Sequence, residues 1–177
     1  RDRSPSRGLG DVYKRQYKMN NEIEITQSKN FETDEIICQL KSCDKKTPKF
    51  SLDGQMKLCK VVDIYDGDTC RVVFNHNGHI NKWNIRMNGY DSPEMRPSKS
   101  LENRLEIKKK AIESKNFLKS LIANSPDQLV YLKCGGFDKY GRLLGELFVN
   151  HQDEISVNQK MIDNNYGYVY HGGTKKV

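Results

Sequence analysis

The chain has 177 residues, of which 36% are hydrophobic and 30% are charged, and its formal net charge at pH 7 is +7. This length suits one domain with a sizeable core, and no apolar run approaches the roughly 18 residues of a membrane span. The five cysteines are odd in number and irregularly spaced, which argues against a disulfide framework and favours reduced thiols in an intracellular protein. Since no signal peptide is recognisable either, a cytoplasmic location is predicted.

The positive charge is unevenly distributed along the chain. Residues 1–18 hold six basic and two acidic residues, whereas residues 47–177 hold twenty basic and fifteen acidic residues. The second region is therefore only mildly basic, and charge alone is weak evidence for a nucleic-acid partner.

Three regions follow one another. Residues 1–18 show neither helical nor strand periodicity and do not begin with methionine, so we predict a disordered, non-native segment of adapter origin. Residues 19–46 are polar and mixed in charge, which predicts a flexible tail. Residues 47–177 are expected to form the folded domain, with a truncated C-terminus as an open alternative.

The folded region alternates strand and helix patterns. Five runs rich in apolar and β-branched residues predict strands over 57–64, 70–74, 80–87, 128–134 and 142–149. An Asn-Gly turn at 77–78 predicts a hairpin between the second and third strands. A long helix is predicted over 101–124, and Ser156 with Gln159 forms the capping-box pattern of a short helix through Asn164. The apolar face of the long helix is predicted to comprise Leu101, Leu105, Ala111, Ile112, Leu118 and Ile122.

This element order predicts an α+β, mainly β fold. We expect a five-stranded Greek-key barrel of the oligonucleotide-binding (OB) type, with one long helix and one short C-terminal helix. A doubly wound parallel sheet does not fit, because the first three strands are joined by turns too short for a crossover.

Four carboxylates and Arg86 are concentrated between residues 66 and 94. The first carboxylate pair, in 66–68, flanks a glycine in a tight turn, and the second, in 91–94, flanks a proline that prevents a helix. A hairpin can bring both turns to the same end of a sheet, where the acidic groups repel one another. A hard, oxygen-preferring cation would relieve that repulsion, and Arg86 would then reach an anion held by the metal.

These residues resemble a known family. The elements are Asp-Gly-Asp-Thr at 66–69, Arg86 before Asp-Ser-Pro-Glu at 91–94, a long helix, and Asp-Lys-Tyr-Gly-Arg at 138–142. Their order and spacing are similar to those of the staphylococcal nuclease (thermonuclease) domain, and the resemblance covers most of residues 50–170. It implies an OB-fold and a calcium-dependent phosphodiesterase that acts on DNA and RNA.

The resemblance also implies a metal site. Asp68 and Asp91 would bind Ca²⁺ through their carboxylates. Ser92 would use its main-chain carbonyl, at a position where the family usually has threonine. Asp66 would lie behind these ligands and hold a metal-bound water.

The remaining implied roles concern the substrate. Glu94 would orient or deprotonate the attacking water, while Arg86 and Arg142 would clamp the scissile phosphate. The implied substrate-binding residues are Lys139, Tyr140 and Tyr168. The resemblance leaves open whether Tyr168 or Tyr170 is the pocket tyrosine.

The leading interpretation is a monomeric, Ca²⁺-dependent endonuclease that hydrolyses DNA and RNA through attack of a metal-activated water. Its substrate would be single-stranded or frayed, and no membrane partner is expected. One alternative is a catalytically silent nuclease-like OB-fold module that binds nucleic acid or protein, although such relatives typically lack acidic or arginine positions that are all present here. Another is a plain single-strand binder, which would not need the carboxylates and would be weakened by their repulsion of phosphate.

Overall fold

A computed structural model of the protein describes Lys18 and residues 33–170. The chain divides between Lys49 and Phe50 into two units. The segment predicted to be adapter-derived, apart from Lys18, lies outside the described residues, as does the predicted tail up to residue 32. The regional boundaries therefore stay predictions.

The described part of the predicted tail contains a helix. Residues 33–41 are helical (α1), and their side chains are exposed. The sequence did not predict this helix, and the flexible tail expected over 19–46 stays a prediction. Ile36 and Leu40 have the i, i+4 spacing of one helix face, which the polar composition of the surrounding residues concealed.

Five strands close a barrel, as the sequence predicts. They are β1 (Met56–Ile64), β2 (Thr69–His76), β3 (His79–Met87), β5 (Leu129–Phe137) and β6 (Leu143–Phe148). Their order around the barrel is β1-β2-β3-β6-β5, with β5 pairing back onto β1. The β3–β6 pair is parallel and the other four pairs are antiparallel. This mainly β architecture confirms the predicted OB-type barrel.

The β2–β3 hairpin shows why these residues form strands. Cys70, Val72 and Phe74 alternate with more exposed residues and fill the barrel, which is the two-residue period of a half-buried strand. At the predicted turn, Asn77 and Gly78 both have positive φ, 50° and 83°. A two-residue hairpin turn of type I′ needs this backbone conformation at both central positions.

A second, two-stranded sheet was not predicted. It pairs β4 (Tyr90–Asp91) with β7 (Tyr168–Val169), so that Asp91 lies opposite Tyr168. The sequence gives no sign of it, because a strand of two residues is too short to show a period.

The long helix α2 (Arg104–Ala123) is present, but its predicted apolar face is partly wrong. The buried positions are Ala111, Ser114, Leu118 and Ile122. Leu105 is 82% exposed and Ile112 is 41% exposed. Burial along α2 begins only at Ala111, so about the first two turns of the helix contribute no buried residue to the core. A buried serine takes a place on the face that periodicity alone assigns to apolar side chains.

The chain leaves α2 through a 3₁₀ turn, η1 (Pro126–Gln128), and later forms α3 (Val157–Asp163). Half of the predicted capping box is confirmed, because Ser156 Oγ accepts a hydrogen bond from the Gln159 amide. The Gln159 side chain donates instead to Asp163 Oδ1.

Within the described residues, no helix has the length and apolar character that crossing a membrane requires. All five cysteines lie in the described part of the chain and are free thiols. Cys59, Cys70 and Cys134 are buried in the barrel, whereas Cys38 and Cys43 are exposed.

Candidate active site

The two acidic turns meet where β1 leads into β2 and where β3 leads into β4. Tyr90 is 1% exposed and its hydroxyl donates to the carbonyl of Gly67 over 2.7 Å. A Cβ on Gly67 would lie 2.0 Å from Ser114 Oγ and 2.8 Å from Ser92 Cβ. Glycine is therefore needed here because the backbone passes too close to α2 and to the second turn for any side chain. This close approach brings the two carboxylate turns together, as the sequence predicts.

Asp68 is held by several hydrogen bonds. It is 6% exposed, and its Oδ2 accepts hydrogen bonds from the Ser92 amide at 2.8 Å and the Ser92 hydroxyl at 2.9 Å. Its Oδ1 accepts from Thr69 Oγ1 at 3.0 Å. Asp66 Oδ1 accepts from the Asp68 amide at 3.1 Å, so Asp66 stabilises the turn from behind.

Arg86 joins the two buried acids. Its Nη1 lies 2.7 Å from Asp68 Oδ1, and its Nη2 lies 2.6 Å from Asp91 Oδ1. The side chains of Arg86 and Asp68 are 11% and 8% exposed, and that of Asp91 is 1% exposed. The guanidinium is thus the positive group that lowers the carboxylate repulsion in this structure.

Asp91 is fixed from its other side. Its Oδ2 accepts a hydrogen bond of 2.9 Å from the hydroxyl of Tyr168, which stands opposite it in the β4–β7 pair. The structure therefore places Tyr168 against a predicted metal ligand.

The second arginine is held by the loop between β5 and β6. Arg142 Nε lies 2.8 Å from Asp138 Oδ2, and its Nη1 is 3.5 Å from Thr69 Oγ1. Its guanidinium carbon lies 5.6 Å from the centre of the Tyr140 ring. Burial raises the pKa of Asp138, but the hydrogen bonds from Arg142 and Tyr140 outweigh it and leave that pKa below its ordinary value. A charged Asp138 therefore orients Arg142.

A cavity of about 490 Å³ is lined by most of the predicted site residues. Its lining includes the four carboxylate residues, both arginines, Ser92, Lys139 and Tyr140. Glu94 is exposed at this cavity and Tyr140 is 72% exposed. A neighbouring cavity of about 410 Å³ shares Arg86, Arg142 and Tyr170 with it. Both cavities are lined by Tyr170 and not by Tyr168.

Burial shapes the proton affinity of the site. It raises the pKa of Asp68 to about 7, although the Arg86 guanidinium acts in the opposite direction. Burial also raises the pKa of Tyr90 well above its ordinary value, with the Asp68 charge adding to the effect. A neutral Tyr90 keeps its donor to the Gly67 carbonyl.

The donor set fits a hard cation in its chemistry. Asp68 and Asp91 offer carboxylate oxygens on the wall of the larger cavity, and none of its lining residues within the described part of the chain carries sulfur or imidazole. Such a set of oxygen donors suits Ca²⁺ or Mg²⁺ better than Zn²⁺. Among residues 33–170, no three histidine, cysteine, aspartate or glutamate side chains are grouped closely enough to form a metal centre by themselves. An ion on Asp68 and Asp91 would therefore complete its shell with main-chain and water oxygens.

Three contributing residues were not assigned roles from the sequence. Thr69 contacts both Asp68 and Arg142, Asp138 orients Arg142, and Ser114 packs against Gly67 while its hydroxyl donates to the Tyr166 carbonyl. Thr69 and Asp138 belong to the motifs at 66–69 and 138–142, so their place in these motifs could have indicated that they contribute to the site. Ser114 has no such signal, because a serine on a helix is ordinarily solvent-facing.

The barrel and its cavity define an OB-fold protein in which acidic and basic side chains line one space. A family model described as staphylococcal nuclease homologue matches residues 84–176. The chain belongs to that family. The match includes Arg86, Asp91, Glu94 and Arg142, whereas Asp68 lies before it and is joined to it by the contacts above. A comparison with curated proteins found no match.

Proposed function

We propose that this protein is a Ca²⁺-dependent endonuclease that hydrolyses phosphodiester bonds in DNA and RNA. The observation that carries the proposal is the shared cavity. Two buried carboxylates, an exposed glutamate and two arginines line one space of about 490 Å³. Phosphodiester hydrolysis needs an activated water, charge stabilisation on phosphate and alignment of the two, and these groups together can supply all three.

Asp68, Asp91 and the Ser92 carbonyl would hold the cation, with Asp66 behind them. When bound, Ca²⁺ supplies positive charge that polarises a phosphate and orients water. The Ser92 amide and hydroxyl already hold the Asp68 carboxylate in place. The Tyr168 hydroxyl does the same for Asp91.

The arginines are suited to the phosphate. A guanidinium stays charged and presents five donors in a planar fork, so Arg86 can contact a phosphate oxygen in addition to its two carboxylates. Arg142 is 31% exposed and approaches from the β5–β6 loop. The two arginines would therefore hold the phosphate from different sides.

Glu94 is the proposed base. As it accepts a proton from the water, a bond forms between the water oxygen and phosphorus. The bond from phosphorus to one ester oxygen breaks, and that oxygen takes a proton from solvent water to leave as an alcohol, while Glu94 returns its proton to solvent. The products are a phosphomonoester end and a hydroxyl end, with no oxidant or reductant involved.

The smaller cavity supports a preference for single-stranded or frayed substrate. It holds about 410 Å³ between Tyr140, Tyr170 and the two arginines, which is space for one base out of its stack. Lys139 lines both cavities and adds a cation near the phosphate chain. A monomer that acts in the cytoplasm without a membrane partner is part of the same proposal.

A silent module that binds nucleic acid or protein is the second candidate. One observation favours it: the Arg86 guanidinium forms ion pairs with both Asp68 and Asp91 and offsets part of their negative charge. A binding module would keep this arrangement and show no turnover.

The variant Glu94→Gln separates the candidates. We expect it to remove most cleavage of single-stranded DNA and RNA in Ca²⁺, by about 100-fold or more, while oligonucleotide affinity in chelator stays within a few-fold. Glu102→Gln, a change of the same charge at an exposed position before α2, is the matched control and should cleave normally. Binding without cleavage by the unchanged protein would move the assignment to the silent module.

A further inference from the structure

Tyr90 is a buried residue that connects the two candidate cation ligands through the backbone. It lies in β4, one residue before Asp91, and is 1% exposed. Its hydroxyl donates a hydrogen bond of 2.7 Å to the carbonyl of Gly67, across 23 residues of chain. Gly67 directly precedes Asp68. One side chain therefore joins the backbone beside one carboxylate to the backbone beside the other.

The peptide group between Gly67 and Asp68 is held at both of its polar ends. Its carbonyl accepts from the Tyr90 hydroxyl, and its N–H donates to Asp66 Oδ1 over 3.1 Å. A peptide group is planar, so hydrogen bonds at both ends fix the orientation of the whole plane. Because that plane ends at the Cα of Asp68, it limits the directions in which the Asp68 carboxylate can point.

The Tyr90 ring is closely packed on the side away from its hydroxyl bond. A Cβ on Gly167 would lie 2.4 Å from Cδ2 of the ring and 3.3 Å from the carbonyl oxygen of Asp91. The residue before Gly167 is tied to α2, because the carbonyl of Tyr166 accepts a hydrogen bond of 2.7 Å from Ser114 Oγ. The ring therefore packs against backbone that α2 helps to hold in place.

Burial makes the Tyr90 hydroxyl hard to replace. Gly67 is buried, so without this hydroxyl its carbonyl would lack a donor in a place that water does not readily reach. Buried carbonyls are nearly always paired, and one that loses its donor favours a rotation of the peptide toward another partner. Such a rotation would move Asp68 relative to Asp91.

We propose that Tyr90 is a positioning residue that holds Asp68 and Asp91 in the relative arrangement that binds the cation. This inference rests on the proposed function and adds to it a residue that lies outside the sequence motifs. Tyr90 acts on Asp68 through the Gly67–Asp68 peptide, and on Asp91 through their shared strand. Its contribution is to the affinity for Ca²⁺ and not to the chemical step.

The test compares Ca²⁺ binding by three variants of the full chain in calorimetric titrations. Tyr90→Phe removes the hydroxyl and keeps the ring. Tyr131→Phe makes the same change on a half-buried ring of β5 that packs against His151. Val130→Ala leaves a cavity at a completely buried barrel position opposite Cys59, which lowers stability in another part of the fold. Thermal unfolding in chelator ranks the stability of all four proteins.

We expect Tyr90→Phe to lower Ca²⁺ affinity about tenfold, as partners that orient metal ligands typically do. Tyr131→Phe and Val130→Ala should leave Ca²⁺ affinity unchanged. In cleavage assays, Tyr90→Phe should need about tenfold more Ca²⁺ for its half-maximal rate and reach nearly the same kcat at saturating Ca²⁺. Unchanged Ca²⁺ affinity in Tyr90→Phe would overturn the proposal. An equal loss in Val130→Ala would also overturn it, since the affinity would then follow stability alone.

Gly167→Ala supplies a second test should Tyr90→Phe fail to fold. The added Cβ presses on the Tyr90 ring and leaves the hydroxyl present. The change is made in a Tyr168→Phe background, so that a further loss cannot pass through the Tyr168–Asp91 bond. We expect Ca²⁺ affinity below that of Tyr168→Phe alone, and equal affinities would overturn the role of the ring.

Failure of this inference and failure of the proposed function give different results. If the unchanged protein binds Ca²⁺ and cleaves, while Tyr90→Phe binds Ca²⁺ equally well, only the role of Tyr90 is wrong. If the unchanged protein binds no Ca²⁺ in the titration, the proposed function is wrong and the role of Tyr90 is overturned with it.

Discussion

Tyr168 donates a hydrogen bond from its hydroxyl to Asp91 Oδ2 over 2.9 Å, across 77 residues of chain. This bond and the β4–β7 pairing attach the C-terminal part of the described chain to the acidic turn. Tyr168 thus acts through Asp91, as a positioning residue for a proposed metal ligand.

Removing that hydroxyl should weaken cation binding. We expect Tyr168→Phe to lower Ca²⁺ affinity about tenfold, because partners that orient metal ligands typically contribute at least that much. Calorimetric titration with Ca²⁺ measures it without relying on turnover. Tyr140→Phe removes a hydroxyl from a more exposed ring and should leave Ca²⁺ affinity unchanged; equal affinities in both variants would refute the positioning role.

Arg142→Ala should lower turnover more than substrate affinity. A donor that stabilises charge developing on phosphate contributes mainly in the transition state, so we expect kcat to fall about 100-fold or more with a smaller change in Kd. Arg104→Ala, at the exposed start of α2, is the control. A loss confined to Kd would show that Arg142 only binds substrate.

Gly67→Ala should destabilise the fold. The new Cβ would collide with Ser114 Oγ and Ser92 Cβ, and overpacking of this kind costs about 1–3 kcal/mol. Urea unfolding measures the loss, and adding Ser114→Ala should restore part of it. Gly136→Ala, where no atom lies within 4 Å of the added Cβ, should be nearly neutral. A Gly67→Ala protein as stable as this control would contradict the close packing of α2 on the acidic turn.

Asn158→Ala should also be costly. This side chain is 3% exposed and makes three hydrogen bonds, accepting from the Leu147 amide and donating to the carbonyls of Asn88 and Gly145. Its loss leaves several buried backbone groups without their partner, so we expect about 3 kcal/mol of destabilisation. Asn164→Ala removes one exposed contact and should cost well under 1 kcal/mol. Similar unfolding midpoints for the two variants would argue against α3 being tied to β6 by Asn158.

The cysteines give a pH dependence. Burial raises the pKa of Cys59 to about 12 and that of Cys134 to about 11, from an ordinary 9.0, and it raises the pKa of Cys70 as well. The folded protein keeps these thiols protonated while the unfolded chain ionises them, so the stability that they contribute is complete below pH 9.0 and declines as the pH rises through 11 and 12.

The same burial predicts two classes of thiol. Cys38 and Cys43 should react rapidly with a thiol reagent at pH 8, and the three barrel cysteines only after denaturation. Counting the thiols that react before and after denaturant checks this. Rapid reaction of all five in the native protein would show that the barrel is open.

Much of the fold was predictable because its signals are local. The alternation in β2 and the Asn-Gly hairpin turn each identify an element from a few neighbouring residues. The acidic and arginine positions came from motif spacing, and the fold then brought them into one cavity. What the sequence did not show depends on contacts between distant residues. The Arg86 bridge, the Tyr168–Asp91 bond and the burial of Ser114 each require knowing which segments meet, and Leu105 is exposed because the first turn of α2 adds nothing to the core.

Cleavage of single-stranded DNA and RNA by the full chain, in Ca²⁺ and in excess chelator, tests the central claim most directly. We predict cleavage in Ca²⁺ that stops in chelator and returns when Ca²⁺ is restored, with oligonucleotide binding detectable under both conditions. Cleavage that persists in chelator would contradict the cation's role at Asp68 and Asp91. Binding without cleavage in Ca²⁺, by a protein whose thermal unfolding shows an intact fold, would contradict the enzyme itself.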